Sequence, residues 1–418
     1  MTARLKLPLA AFILCLLLGS AYAVIRIDIT SPGRSLPIAV SELAGPHGAE
    51  IARIISEDLD YTGLFAPVDR EGFIERPEKA FNRLNWALTG AETVLKGRTE
   101  AEGAGIKVTA YLYDVADGAA MLHKEYGADS SLLRPLAHAI AGDIYQRLTG
   151  RAGVFRTKIA FVASGKNEKE LCLSDWDGQR IIKPGIRAVQ ILSPHWSKDG
   201  GRLIYSALRG GRWGIYMLDF NEMTEKLIYA SKGTLIAGDF FPGGDEFIFS
   251  SSEEGTPALY THVIPGGRTR RLTSTRGIEV SPALSPDGQG IAFVSDRGGS
   301  PQVYIMDRNG YNINRITFEG SYNTSPSWSP DGGRIAFVGR HEGKNQIYTV
   351  NPDGSALIRL TGNGNNEDPS FSPDGRFVAF TSDRTGGREI FTMRADGQGQ
   401  RSITPKGLNA SKPRWSPG

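Results

Sequence analysis

The sequence predicts an N-terminal α/β domain, a mixed sheet with two helices, followed by an all-β six-bladed β-propeller whose last blade is shared between both propeller ends. Three observations lead there. The stretch W-S-P-D-G-G-R-I-A-F at residues 328–337 recurs at Trp196, Phe240, Leu284, Phe371 and, cut short, Trp415, with anchors 44, 44, 44, 43 and 44 residues apart. A fixed period of that length, with four short strands' worth of residues per unit, marks a propeller rather than a helical solenoid. The two ends also complement each other. The strand at 158–162 has no Ser-Pro-Asp-Gly before it, and Trp415-Ser416-Pro417-Gly418 has no strand after it, so joined they make one repeat and remove free sheet edges.

Each unit follows from its residues. An aromatic or Leu ends an inner strand, Ser-Pro-Asp-Gly makes the turn, and an Ile-Ala-Phe type run begins the next strand. Pro presets φ, Asp bonds its own backbone, and Gly takes the positive φ of a tight reversal. A polar bend such as Ser295-Asp296-Arg297-Gly298-Gly299 follows, then the alternation Gln302-Val303-Tyr304-Ile305-Met306, a second turn at 307–310 and an outer strand at 314–317. Tyr304, Tyr348 and Phe391 match one another once per blade and are expected to fill the space between sheets.

In chain order, residues 1–23 read as a signal peptide: Arg4 and Lys6, an apolar run through Leu18, then Ala21-Tyr22-Ala23. The run is short for a bilayer span, so no membrane insertion of the mature chain is expected. The formal net charge of +3 would fall to +1 without Arg4 and Lys6, which argues for no nucleic-acid partner. Cleavage leaves Cys172 alone, a strand residue without a disulfide partner. The mature chain opens on a strict alternation over 24–30, including Ile25, Arg26, Ile27, Asp28 and Ile29. That pattern suits an edge strand or an extended peptide that pairs with another protein's sheet. An α/β domain over 24–150 is expected to hold strands at 36–40, 65–68, 92–95, 106–115 and 121–126. Its helices are expected at 49–60 and 131–148, the second carrying Leu132, Leu136, Ile140, Ile144 and Leu148 and ending at Gly150. The propeller is expected over 155–418, entered with almost no linker.

Motifs for chemistry are missing. There is no G-x-S-x-G elbow, P-loop or G-x-G-x-x-G, and His341-Glu342-Gly343-Lys344-Asn345 has Asn where a zinc helix needs its second His. Asp287, Asp331 and Asp374 lack calcium-loop spacing and are accounted for by the turns. Neither catalytic residues, metal nor cofactor are therefore expected. What varies between blades is the loop entering each inner strand, at 232–239, 276–281, 320–325, 362–368 and 406–412. These loops ring one mouth of the channel, and a varied polar rim on repeated struts reads as a recognition surface, or as solvated loops alone. The rim candidates are Thr234, Ala237, Glu279, Val280, Ser281, Asn323, Thr324, Glu367 and Asp368.

The signal peptide, the 24–30 strand, the α/β domain, the junction Leu148-Thr149-Gly150 to Phe155-Arg156-Thr157-Lys158-Ile159-Ala160-Phe161-Val162 and the six Ser-Pro-Asp-Gly type blades together resemble the TolB family, periplasmic components of the Tol-Pal system of Gram-negative envelopes. The resemblance covers essentially the whole chain. It implies a non-enzymatic binding protein that holds the lipoprotein Pal at the propeller mouth and engages TolA through its mature N-terminus, here Ile25 to Ile29. Other outer-membrane or peptidoglycan-associated proteins are further implied partners, with roles in outer-membrane integrity and constriction at division. The family's Pal-contacting rim falls here on 234–237 and 279–281. Where relatives often have His-Asn or Asn-Asn-Thr-Glu, this chain has Thr234-Leu235-Ile236-Ala237 and Ile278-Glu279-Val280-Ser281. Two rival classes remain distinguishable. A propeller hydrolase or lyase requires carboxylates such as Glu279, Glu367 and Asp368 to converge. A sugar or peptide sensor requires aromatics at the mouth, where Tyr322 is the candidate.

Overall fold

The computed structural model describes residues 35–418; the expected signal peptide and the 24–30 segment lie outside them. The α/β domain is built on a five-stranded sheet. In chain order its elements are β1 (Leu36–Val40), α1 (Gly48–Tyr61), β2 (Phe65–Pro67), α2 (Arg83–Ala87), β3 (Thr93–Glu102), β4 (Gly105–Asp114), β5 (Ala120–Asp129) and α3 (Leu133–Thr149). The strand order is β2-β1-β3-β4-β5, with β1 parallel to both neighbours and the remaining pairs antiparallel. The sheet is therefore mixed.

Alternation along the strands decides what covers each face. Ile38, Val40 and Leu95 point into a cluster with Ile51, Ile55 and Leu59 of α1 and Ile140, Ile144 and Leu148 of α3. Ala39 and Val94 point the other way, onto Trp86 of α2. The short α2 carries no periodic signal in the sequence; Asn82 caps it by accepting from Leu84 N at 3.0 Å. Gly150 ends α3 at φ 74, the left-handed conformation for which glycine has no steric penalty. The strands at 93–102 and 120–129 run longer than their apolar cores suggested, since an antiparallel ladder continues through polar residues. Among the described residues, no helix is long and apolar enough to cross a membrane.

Six sheets follow. Five are contiguous: Gln190–Trp196 leads the first, Leu235–Phe240 the second, Glu279–Leu284 the third, Asn323–Trp328 the fourth and Asn366–Phe371 the fifth, each pairing antiparallel with the strands that come after it. The remaining sheet takes its innermost strand from the far end of the chain. Ala410–Trp415 pairs antiparallel with β6 (Lys158–Ser164), placing Trp415 opposite Ile159; β7 (Lys169–Asp175), β8 (Ile181–Ile182) and the short strand Arg187–Ala188, which also pairs with β7, complete it. Ser416 clamps this seam, its N–H donating to Lys158 O at 2.8 Å and its Oγ accepting from Lys158 N at 2.9 Å.

The turns work as the residue types require. Ser329 Oγ donates to Asp331 Oδ1 at 2.5 Å and accepts from Arg334 N at 2.9 Å, and the same pair of bonds recurs at Ser285 and Ser372. The Asp residues are thus consumed by turn geometry. The Ser-Asp-Arg bends are equally structural. Arg297 and Arg384 fold back onto Ser295 and Ser382 and lie over the Phe293/Tyr304 and Phe380/Phe391 ring pairs. Cys172 is buried in β7, where burial pushes its thiol up to about 11, so it is inert as a nucleophile.

Candidate protein-recognition site

Every inner strand bulges at one level. The register slips between Leu192 and His195, Ala237 and Phe240, Val280 and Ala283, Thr324 and Ser327, Glu367 and Ser370, and Ser411 and Arg414. At that level Ser193, Ser281, Ser325, Asp368 and Lys412 adopt φ between 49 and 57. Each precedes a Pro, a position normally confined to extended backbone. Left-handed geometry there is strained, and five repeats of it make a stiff collar that a tight blade packing enforces. The collar encloses a cavity of about 130 Å³ lined by Ser193, Ala237, Ser281, Ser325, Asp368 and Lys412, one from each blade, with the prolines behind them.

The position before each anchor, aromatic in five blades and Leu284 in the sixth, forms the floor. Three blades contribute Ala283, Ser327 and Ser370; the other three contribute His195, Asp239 and Arg414, which join. His195 Nδ1 lies 2.6 Å from Asp239 Oδ1, and Arg414 Nη2 lies 2.9 Å from His195 Nε2. Asp239 Oδ2 also accepts from Leu284 N at 2.9 Å. Burial and then the nearby Arg414 hold the imidazole below its usual value. His195 is accordingly neutral, donating from Nδ1 and accepting at Nε2. Burial would raise Asp239, but His195 and Arg414 outweigh it and keep the carboxyl at about 2. Below this floor a wider cavity of about 400 Å³ opens among the turn residues.

The rim candidates separate into two groups. Thr234 is exposed, and Val280, Ser281, Thr324, Glu367 and Asp368 are partly so, while Ala237 is buried yet borders the cavity. Glu279 and Asn323 do not present side chains at the rim. Glu279 is 0% exposed and paired with Arg297, and Asn323 is turned inward, its Nδ2 donating to Gln302 Oε1 at 2.7 Å and Glu319 O at 2.8 Å. Both sit where the inner strand begins, and the alternation there sends them between sheets rather than outward. The three carboxylates of the enzymatic alternative are not gathered. Glu279 is held by Arg297, Glu367 by Asn345 and Arg388, and Asp368 by Lys412 at 3.3 Å. Tyr322 is half-buried under Arg340, which lies 4.9 Å from its ring centroid. His195, Asp239 and Arg414 escaped the sequence reading because they stand in different repeats, 44 and 219 residues apart.

At the opposite end of the inner strands the α/β domain docks. Tyr61, at the end of α1, stacks on Phe377 at 5.2 Å, donates or accepts at Thr392 Oγ1 over 2.7 Å, and lies under the Arg401 guanidinium. Trp415 joins this joint to the channel: it stacks on Phe377 and its Nε1 donates to Thr157 Oγ1 at 2.7 Å. One apolar cluster runs from the α/β sheet through Tyr61 and Trp176 to Phe377 and Trp415. Beside it buried Asp58, His138 and Asp177 and the partly exposed Arg134 form a polar group, with His138 Nδ1 2.6 Å from Asp58 Oδ2 and Arg134 Nε 2.7 Å from Asp177 Oδ2. Gly178 sets the turn carrying Asp177. It has φ 80, and an added Cβ would stand 1.7 Å from Ile403 O.

Comparison with known proteins gives consistent matches. Residues 145–418 match the family described as the TolB beta propeller domain, and residues 25–121 the TolB amino-terminal domain. A protein named Tol-Pal system protein TolB from Anaeromyxobacter dehalogenans is 35% identical over 290 residues, covering 66% of each chain. Its counterpart from Anaeromyxobacter sp. is 35% identical over 253 residues and 58% of each chain. The chain thus spans about three fifths to two thirds of the length of these curated relatives. The crystal structure of TolB from Acinetobacter baumannii superposes with a TM-score of 0.82 at 28% identity, over 93% of this chain and 98% of that one.

Proposed function

Since the chain belongs to the TolB family, we propose that it is a non-enzymatic component of the Tol-Pal system, exported to the periplasm by its first 23 residues. It holds Pal at the collared channel mouth and engages TolA through residues 24–30, and so supports outer-membrane integrity and envelope constriction at division. The observation that carries this reading is the collar itself, a ring of one side chain from each blade, Ser in three and Ala, Asp and Lys in the others, open to a partner on one side and closed by the neutral His195 floor on the other. Rigid scaffolds with varied loops suit recognition, and a preformed mouth spares a partner the ordering cost of binding. The separately neutralised carboxylates lend no support to the hydrolase or lyase alternative.

The 24–30 segment has two fates in this proposal. Packed back on its own protein, with Ile25, Ile27 and Ile29 covered, it is withheld from TolA; released, it adds to TolA's sheet edge. Pal at the mouth biases the choice if it binds the two states with different affinity. A contiguous route exists in Lys412, Arg414 and Trp415 of one inner strand, then Phe377 and Tyr61. Calorimetry with purified Pal and TolA tests the assignment. Deleting 24–30 abolishes TolA binding and leaves Pal binding, whereas replacing Thr234 and Glu367 by Arg together weakens Pal and leaves TolA. Loss of both partners, or of neither, in either variant refutes it.

A further inference from the structure

The joint between the two domains closes around one imidazole. Asp58 on α1 and His138 on α3 belong to the α/β domain, and Asp177 to the turn after β7 of the propeller. His138 Nδ1 is 2.6 Å from Asp58 Oδ2, and Nε2 is 3.3 Å from Asp177 Oδ2, an ion-pair contact; all three residues are buried. A neutral imidazole has a single N–H. With a carboxylate at each ring nitrogen it would aim a lone pair at one of them in a site sealed from water, whereas imidazolium has a donor for each. Asp58, His138 and Asp177 are also close enough together to suggest metal ligands. Yet the 2.6 Å contact is a direct hydrogen bond with no room for an ion that needs about 2.0–2.2 Å to each ligand, and Arg134 already occupies the same Asp177 oxygen at 2.7 Å.

We propose that a proton on His138 latches the α/β domain to the propeller, and that its removal breaks the His138–Asp177 limb of the joint and leaves Arg134 alone to hold Asp177. The charges facing the imidazole balance only in that state. Asp58 from α1 and Asp177 from the propeller turn supply two negatives; His138 and Arg134 from α3 supply two positives. Arg401, from the fifth sheet, lies over the rings of Tyr61 and Trp176, and Asp175 is neutralised by Lys158 at 2.7 Å. Trp176 stands edge-on to the imidazole at 6.1 Å.

The sign of the pH dependence is fixed. Burial would lower His138, but Asp177 and Asp58 outweigh it and push it up from 6.5 to about 9. The latch is therefore complete below the ordinary value and lost as pH rises through about 9. Asp58, raised to about 6 chiefly by burial, acts in the same direction, because the closed joint takes up its proton more readily than a free carboxyl does. Asp177, which burial would raise, is held at about 2 by His138 and Arg134 and stays ionised throughout.

Histidine-selective nitrogen labelling of the full chain reads the proton directly, and hydrogen exchange reads the joint. The expected result is that both His138 ring nitrogens are protonated at pH 7 and titrate near pH 9. After correction for intrinsic exchange, protection of α3 and of the 176–180 turn that carries Asp177 should fall at least about tenfold between pH 7 and 9.5. In His138→Gln that protection is low already at pH 7 and does not respond to pH. Asp177→Asn, which leaves the Asp58–His138 contact intact, should lower the titration midpoint and weaken protection. A neutral His138 at pH 7, unchanged protection in the wild type, or an Asp177→Asn variant that titrates like wild type would each overturn the proposal.

Discussion

The channel floor and the domain joint each hold a buried histidine with a charged group facing each ring nitrogen, and they differ in one partner. His195 lies between a carboxylate and a guanidinium, Asp239 and Arg414, and one N–H with one lone pair satisfies both. His138 lies between two carboxylates and needs two N–H groups. The same side chain is thereby neutral at the mouth and charged at the joint. The two sites respond to pH with opposite sign. His195 is depressed, so its site loses stability as pH falls below the ordinary imidazole value, whereas the His138 site loses it as pH rises. A folded chain with both features is most stable between the two limits.

The largest way to break this comparison is to remove what the two regions share. Trp415 belongs to the channel strand, packs against the joint and is 5% exposed. Trp415→Ala is expected to cost about 3–5 kcal/mol in urea unfolding, with the cavity and lost transfer both contributing. It should also lower exchange protection in the inner strand carrying Asp239 and in α3 together. If only one region loosens, the two are mechanically separate.

Charge removal at each site is the next step down. Asp239→Asn keeps an acceptor for His195 but leaves Arg414 without its counter-charge, and Asp177→Asn does the same to Arg134. Each is expected to cost about 1–3 kcal/mol. The variants then diverge with pH. His195→Asn should flatten the fall in the urea midpoint between pH 7 and 5, while His138→Gln should flatten the fall between pH 7 and 9.5. Identical profiles in both variants would show that the partner charge does not set the response.

The fold was legible in the sequence where a physical requirement repeats. Ser-Pro-Asp-Gly announces a turn each time because Asp331 and its equivalents accept from the backbone N–H two residues on and Gly must take positive φ. The helices at 48–61 and 133–149 announced themselves by apolar spacing. The site was legible only as loops. A Ser-Pro pair reads as extended backbone, so the left-handed collar at Ser193, Ser281 and Ser325 could not be foreseen; it comes from six bulges packed at one level. Glu279 looked like a rim acid, but its strand register turns it onto Arg297. Nor does any local pattern bring His138 to Asp177, which stand on different domains.

The smallest expected effect on stability is the most informative about function. Asp368 and Lys412 face each other across two blades at the collar, partly exposed and 3.3 Å apart. A pair so placed is screened by water, and Asp368→Asn should change the urea stability by no more than about 1 kcal/mol. Both residues also line the mouth cavity, where a docked partner would exclude that water and strengthen each electrostatic contact. If the collar is the docking surface, Asp368→Asn must alter Pal affinity by a larger factor than it alters folding. TolA affinity should stay unchanged, because the contact lies at the end of the strands remote from the joint. A variant equally quiet in stability and in Pal binding would move the docking surface outward, from the collar to the loops carrying Thr234 and Glu367.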